Sequence, residues 1–277
     1  MTPDIELAGQ YRAVLGEGVT WSANAKALLW VDIRRRKIVR YCPETGAEQL
    51  WSVSEQIGCI GDDPAGPDFL AALQSGFAAI SLPADSVEAT VVPICNPEAA
   101  IPGNRFNDGG MDPHGHFWAG SMDDAEKIES GSWWRLAPDG QACKLLSGFT
   151  VTNGPAFSPN GQFVFLTDSS RQTIFRGDYD KDVGVRDLAL WTKFEPSQGY
   201  PDGMAFGPDG NLWIAFWDGA CVRALNSAGQ IVRQIDLPVQ RPTKIAFAPD
   251  GTAYVTSAAV NPAEKGTDGR LHRFRSD

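Results

Sequence analysis

Apolar and polar positions alternate along nearly the whole chain in short runs, and the runs come in pairs joined by turn residues. The clearest pair spans residues 200–215, where an apolar run leads into Pro208-Asp209-Gly210 and a second apolar run leaves it. Alternation with period two is the signature of a strand with one buried face. The turn has its own chemistry: Pro presets φ, Asp bonds its own backbone and Gly supplies a positive φ. The same arrangement returns at residues 153–165, at 243–255 and, more loosely, at 107–118. The turn glycines Gly115, Gly161, Gly210 and Gly251 are separated by 46, 49 and 41 residues. Two earlier copies put Ala25 and Gly66 at the turn position, at intervals of 41 and 49 residues. Six copies at this spacing have the period of a propeller blade.

A second element repeats in step with the first, at residues 32–41, 131–140, 169–176, 217–225 and 266–274, with a weak copy at 75–82. It reads as the outer hairpin of each blade. Two hairpins per repeat make a four-stranded sheet, and six sheets around an axis leave only short edges. The expected fold is all-β, a six-bladed β-propeller with four-stranded blades, in one domain over residues 1–277. No stretch shows helical periodicity long enough to compete.

Composition supports this reading and narrows the function. Apolar residues make up 43 % of the chain, and nine Trp and fourteen Phe supply bulk for the faces between blades. The formal charge is −10, and the only basic run, Arg34-Arg35-Arg36-Lys37, falls in an expected surface hairpin, so nucleic-acid binding is disfavoured. Residues 1–16 carry no basic segment followed by an apolar core, and no 18-residue apolar stretch exists, so a soluble, cytoplasmic protein without a membrane partner is expected. Cys42, Cys59, Cys95, Cys143 and Cys221 are scattered singly, with no Cys-x-x-Cys, which suits a reducing compartment. Three His residues leave little for a His-built zinc site, and His114 and His116 read as a surface pair flanking a turn.

In a propeller the loops entering the innermost strands converge on one mouth of the central channel. Counting back eight residues from each turn position gives Glu17, Gly58, Asn107, Asn153, Asp202 and Thr243. Two carboxylates, two carboxamides and a hydroxyl would thus meet as a ring of oxygens. Such a donor set is the chemistry of hard divalent cations such as Ca²⁺, Mg²⁺ or Mn²⁺; polar residues in such loops also cap turns. Arg105, two residues before Asn107, would point to the same side. Its fork of donors suits substrate oxygens or an ion pair with Asp108 or another neighbour. Met111, Met122, Met204, Trp118, Trp213 and Trp217 read most simply as packing, with Trp217 a candidate for the channel mouth. Residues 123–127 read as a solvated loop.

These motifs together resemble the regucalcin/gluconolactonase (senescence marker protein) family of six-bladed sugar lactonases. The matching pieces are Leu15-Gly16-Glu17-Gly18 with Trp21, Leu29-Trp30-Val31-Asp32, Asn104-Arg105-Phe106-Asn107-Asp108-Gly109, Trp118-Ala119-Gly120-Ser121-Met122, Thr152-Asn153-Gly154, Thr167-Asp168-Ser169 and Tyr200-Pro201-Asp202-Gly203-Met204. The resemblance implies that Glu17, Asn153 and Asp202 hold one divalent cation (Ca²⁺, Mg²⁺, Mn²⁺, Zn²⁺ or Fe²⁺). It also implies that Arg105 and Asn107 bind substrate and that Asp202 is the base that activates water. The implied reaction is hydrolysis of a sugar-acid lactone, such as a glucono- or xylonolactone, to the open acid. Hydrolysis of a phosphotriester or non-sugar lactone, or a non-catalytic cation-binding propeller, are the alternatives. Two positions depart from the family pattern: Val19 replaces a frequent Pro, and Asp124 and Ala125 stand where animal members carry paired glutamates. Whether the 123–130 loop touches substrate is open at this level.

Overall fold

The computed structural model describes residues 3–66, 68–260 and 266–275; Pro67, in the second turn copy, lies outside them. Six antiparallel sheets of four strands each succeed one another along the chain. Their innermost strands are Gly16–Ser22, Ile57–Asp62, Asn104–Met111, Thr152–Phe157, Tyr200–Phe206 and Pro242–Phe247. Each packs beside its neighbours, and the sixth packs beside the first, so the sheets form the six-bladed β-propeller that the repeats predict. Among the described residues no helix is long and apolar enough to cross a membrane. All five cysteines are free.

The second repeated element is only half of the expected outer hairpin. Most copies carry the turn into the third strand and that strand itself, as at Lys37–Tyr41, Thr173–Asp180 and Cys221–Leu225; residues 131–140 instead carry the third strand Gly131–Leu136 and the turn after it, and the weak copy matches Gly76–Ser81. The fourth strands, such as Ala142–Phe149 and Ile231–Asp236, are more exposed and less regularly patterned. In the last blade the fourth strand comes from the other end of the chain. Glu6–Ala8 pairs with Leu271–Arg275, Glu6 standing opposite Arg273, and so closes the ring. Three residues are too few for a periodic signal.

Large side chains fill the gaps between blades. Leu29, Val31 and Ile38 of the first blade pack against Ile60, Phe69 and Ile80 of the second. Trp118, Trp133 and Phe149 of the third blade pack against Val164 and Leu166 of the fourth. At roughly 1.5–3 kcal/mol for each fully buried large apolar side chain, these faces dominate the favourable side of folding. They make the inner strands a rigid frame.

Every inner strand is irregular at the same place. Its register with the second strand shifts between Glu17 and Thr20, Ile57 and Cys59, Phe106 and Gly109, Asn153 and Ala156, Pro201 and Met204, and Pro242 and Lys244. A bulge turns a side chain away from the alternation of its strand. The six irregularities coincide with the six converging positions found from the repeats.

Candidate active site

The bulges bring four of the six converging side chains together. Glu17, Asn107, Asn153 and Asp202, with Arg105, line a cavity of about 360 Å³ at one mouth of the channel. The other two positions do not contribute. A side chain at Gly58 would collide with the backbone oxygens of Phe106 and Asn107, each 2.5 Å from where a Cβ would stand. Thr243 turns aside, its hydroxyl donating to Gly16 O at 2.5 Å and standing 2.9 Å from Thr256 Oγ1, which ties the last blade to the first. The expected ring is therefore an arc.

Asp32 and Asp168 set the approach to this arc. Asp32 accepts hydrogen bonds from the backbone of Val14 (2.9 Å) and Leu15 (3.3 Å), just before Glu17. Asp168 holds Thr150 (3.0 Å) and Val151 (3.3 Å) in the same way, just before Asn153. Both stand seven residues after their turn position, a regularity in the sequence that marks them as one device used twice.

Glu17 and Asp202 are buried and carry no matching charge; among the described residues no ion pair reaches either. Gly18 N donates to Glu17 Oε2 at 3.2 Å, while Asp202 Oδ1 is fully buried without a hydrogen-bond partner. Burial, and secondly the charge of Asp108, pushes the Glu17 carboxyl up to about 8. Burial, then the charges of Glu17 and Asp108, pushes Asp202 well above the usual carboxylate range. Two buried carboxylates without countercharge are costly as anions. A divalent cation would remove that cost.

The residues fit such a group. Two carboxylates and the carboxamide oxygen of Asn153 make an all-oxygen donor set with two negative charges, suited to a hard divalent ion. Among the described residues no three His, Cys, Asp or Glu side chains gather in one place, so carboxamides must complete any such site.

Arg105 and Asn107 form the adjoining wall. Arg105 Nε donates to Asp124 Oδ1 and its Nη1 to Asn107 Oδ1, both at 2.6 Å. Asp124 is also held by Arg34 at 2.8 Å. Burial pushes the Asp124 carboxyl up, but the hydrogen bond and charge of Arg105, with the charge of Arg34, outweigh it and hold it below the usual range. The expectation of a solvated loop at residues 123–127 is thus corrected at Asp124, which pairs with the arginine, and at Glu126, which lines the cavity. An acidic stretch gives no sign of a partner far away in sequence. Asp108, the other neighbour considered for Arg105, pairs with Lys244 instead.

Ser169, given no role in the sequence reading although Thr167-Asp168-Ser169 matches the family, lies on the cavity. It accepts from Asn153 Nδ2 at 2.8 Å and donates to Pro201 O at 2.6 Å, next to Asp202. Of the residues read as packing, Trp118, Trp213 and Met204 are buried in the core, whereas Met122 and Trp217 form apolar parts of the cavity wall with Leu15 and Val151. The arrangement offers a charged, oxygen-rich floor and an apolar rim. His114 and His116 lie elsewhere: His116 Nδ1 meets Asp112 at 2.9 Å and the His114 ring stacks on Tyr179.

Comparisons with known proteins identify the family and the fold. The sequence profile of the SMP-30/gluconolactonase/LRE-like region matches residues 15–259. A 6-deoxy-6-sulfogluconolactonase of Pseudomonas putida is 33 % identical over 252 residues, covering 90 % of this chain and 85 % of its own length. A regucalcin of Gallus gallus is 32 % identical, covering 92 % of this chain and 87 % of its own. The crystal structure of a calcium-binding protein, a regucalcin of Agrobacterium tumefaciens, superposes with a TM-score of 0.89 at 22 % identity, over 99 % of this chain and 93 % of that one. With a match that spans residues 15–259, the chain belongs to the SMP-30/gluconolactonase/LRE-like family.

Proposed function

We propose that this protein is a divalent-metal-dependent lactonase that opens a sugar-acid lactone to its aldonic acid. One observation carries the reading: the unmatched buried carboxylates of Glu17 and Asp202 share a cavity with the Arg105 guanidinium. The sulfogluconolactonase relative, at 33 % identity, supports the reaction class, and the all-oxygen donor set of Glu17, Asn153 and Asp202 supports a cation.

Glu17, Asn153 and Asp202 would hold the ion. When bound, it would supply Lewis-acid polarisation of the lactone carbonyl and charge stabilisation as water attacks. Asp202, which lines the cavity, accepts the proton of the attacking water. Arg105 remains charged although buried, and Asp124 and Asn107 fix its plane, so that its remaining N–H groups are presented to ring and hydroxyl oxygens of the sugar. Glu126, on the rim, accepts from hydroxyls. Met122, Trp217 and Leu15 cover the apolar face of the sugar ring and limit water to the reacting side.

The test is hydrolysis of a panel of aldonolactones, followed as proton release on chelator-stripped protein with single divalent cations restored. Cation-dependent turnover, lost in Glu17→Gln and Asp202→Asn, is expected. Turnover equal with and without chelator would remove the metal from the reading, and no turnover of any lactone would remove the reaction.

A further inference from the structure

Five charged side chains are buried around the channel: Glu17, Arg105, Asp108, Asp202 and Lys244. Each cation among them is paired with an aspartate, Arg105 with one that it shares with the exposed Arg34. Arg105 Nε lies 2.6 Å from Asp124 Oδ1, and Lys244 Nζ lies 2.6 Å from Asp108 Oδ1. The second pair is also fixed by backbone. Lys244 Nζ donates to Gly109 O at 3.0 Å, while Gly109 N and Gly154 N donate to the two oxygens of Asp108 at 2.8 and 2.9 Å. It joins the third, fourth and sixth blades. Lys244 also lines a second cavity, of about 330 Å³, bordered by residues further along the inner strands, including Gly110, Ala156 and Ala205. The pair therefore lies between the candidate active site and the other end of the channel.

With these pairs counted, the carboxylates of Glu17 and Asp202 are the only buried charges of the site left unmatched. We propose that Lys244, by neutralising Asp108, sets the charge presented to the bound ion at that of two carboxylates and so selects divalent over trivalent cations. This inference rests on the cation site proposed above.

Geometry sets the pair against the site rather than only in the channel. Asp108 follows Asn107 and accepts from Gly154 N, next to Asn153, and Lys244 packs so closely on Gly203, next to Asp202, that a Cβ there would stand 2.6 Å from its Cβ and Cγ. Coulomb energy is proportional to the charge of the bound ion. Removing the Lys244 charge therefore strengthens the binding of any cation, and on a logarithmic scale strengthens a trivalent ion half as much again as a divalent one. Charge count is a general means of tuning affinity in oxygen-ligand sites. A merely structural plug would change both ions by the same factor, through loosened ligands.

The experiment is calorimetric titration of chelator-stripped protein with Ca²⁺ and with Tb³⁺, in the parent chain, Lys244→Met, Asp108→Asn and the double variant. A gain of about tenfold for Ca²⁺ in Lys244→Met should accompany a gain of about thirtyfold for Tb³⁺, from proportionality to ionic charge. Asp108→Asn should weaken both ions with the same bias, and the double variant should return both to within a few-fold of the parent. Equal factors for the two ions, or no change, would overturn the proposal. If thermal melts show that Lys244→Met does not fold, Asp108→Asn and the double variant decide alone. A parent chain that binds neither ion fails earlier, and that failure belongs to the cation reading itself.

Discussion

Asn107 Nδ2 stands 3.2 Å from Asn153 Oδ1, and this hydrogen bond is the central step of a one-way series across three blades. Arg105 donates to Asn107, Asn107 to Asn153, Asn153 to Ser169, and Ser169 to Pro201 O. Arg105, proposed to hold substrate oxygens, and Asn153, proposed to hold the ion, are thereby coupled through side-chain amides whose orientation each neighbour fixes. The second Nδ2 hydrogen of Asn107 goes to Thr152 O at 2.8 Å, so its amide has no freedom to turn.

Ser169→Ala should show how much the series matters. The change leaves Asn153 Nδ2 and Pro201 O without their partner, at a cost of about 1–3 kcal/mol for a buried polar group left unpaired. Outer partners of metal ligands typically change affinity by about 10–100-fold. Cation affinity measured by titration should fall within that range, and the thermal midpoint should fall by a few degrees. Unchanged affinity would mean that Asn153 is held by other contacts.

Asp202→Asn separates catalysis from folding. The carboxyl is buried without a partner at Oδ1, and its charge is opposed by burial and by Glu17 and Asp108. A neutral amide of the same shape removes that opposition. Turnover should fall by about 10²–10⁴-fold, the usual contribution of a positioned general base. The chelator-stripped variant should be as stable toward urea as the parent chain, or more so. A stripped variant that unfolds at much lower urea would show that Asp202 serves the fold.

The fold was legible because one strong period runs through the chain: the turn residues Pro-Asp-Gly and Pro-Asn-Gly recur, and each is flanked by alternating strands. The site was legible for the same reason, since equivalent positions of a cyclic repeat converge, and Glu17, Asn107, Asn153 and Asp202 do meet. What failed was what a repeat does not encode. Thr243 occupies the right position, but its hydroxyl prefers the buried carbonyl of Gly16, a contact between the two ends of the chain. Asp124 lies in an irregular loop, and only the third dimension brings it to Arg105. Lys244 follows a converging position by one residue, where alternation would send it away, and the bulge between Pro242 and Lys244 turns it inward.

Asp124→Ala addresses substrate binding. Arg105 would lose its 2.6 Å ion pair while keeping the hydrogen bonds from Nη1 to Asn107 and Phe106. Its plane would then be set from one side only. KM for the lactone should rise about tenfold with kcat changed by only a few-fold, the pattern of lost uniform binding. Arg105 is only 3 % exposed, so losing its countercharge should also lower stability, by about 3 kcal/mol. A fall in kcat with constant KM would place Asp124 in the chemical step instead.

His272 predicts a pH dependence that has nothing to do with the site. It sits in the closing blade, opposite Leu7 on one side and Val255 on the other, and is 1 % exposed. Burial pushes its pKa down from 6.5 to about 4. The sign follows from proton counting: between these values the unfolded chain binds a proton that the folded chain does not, so stability falls as pH falls. Above about 6.5 the contribution is complete, and near pH 4 most of it is lost. The loss amounts to about 3 kcal/mol, because each pH step between the two values is worth about 1.4 kcal/mol. His272→Leu removes the titrating group and should flatten this limb. Urea midpoints of the two proteins, compared at about pH 7 and about pH 5, check it. The loss on acidification should be larger in the parent chain, and equal losses would show that the imidazole is protonated in place or that the strand pairing opens before it titrates.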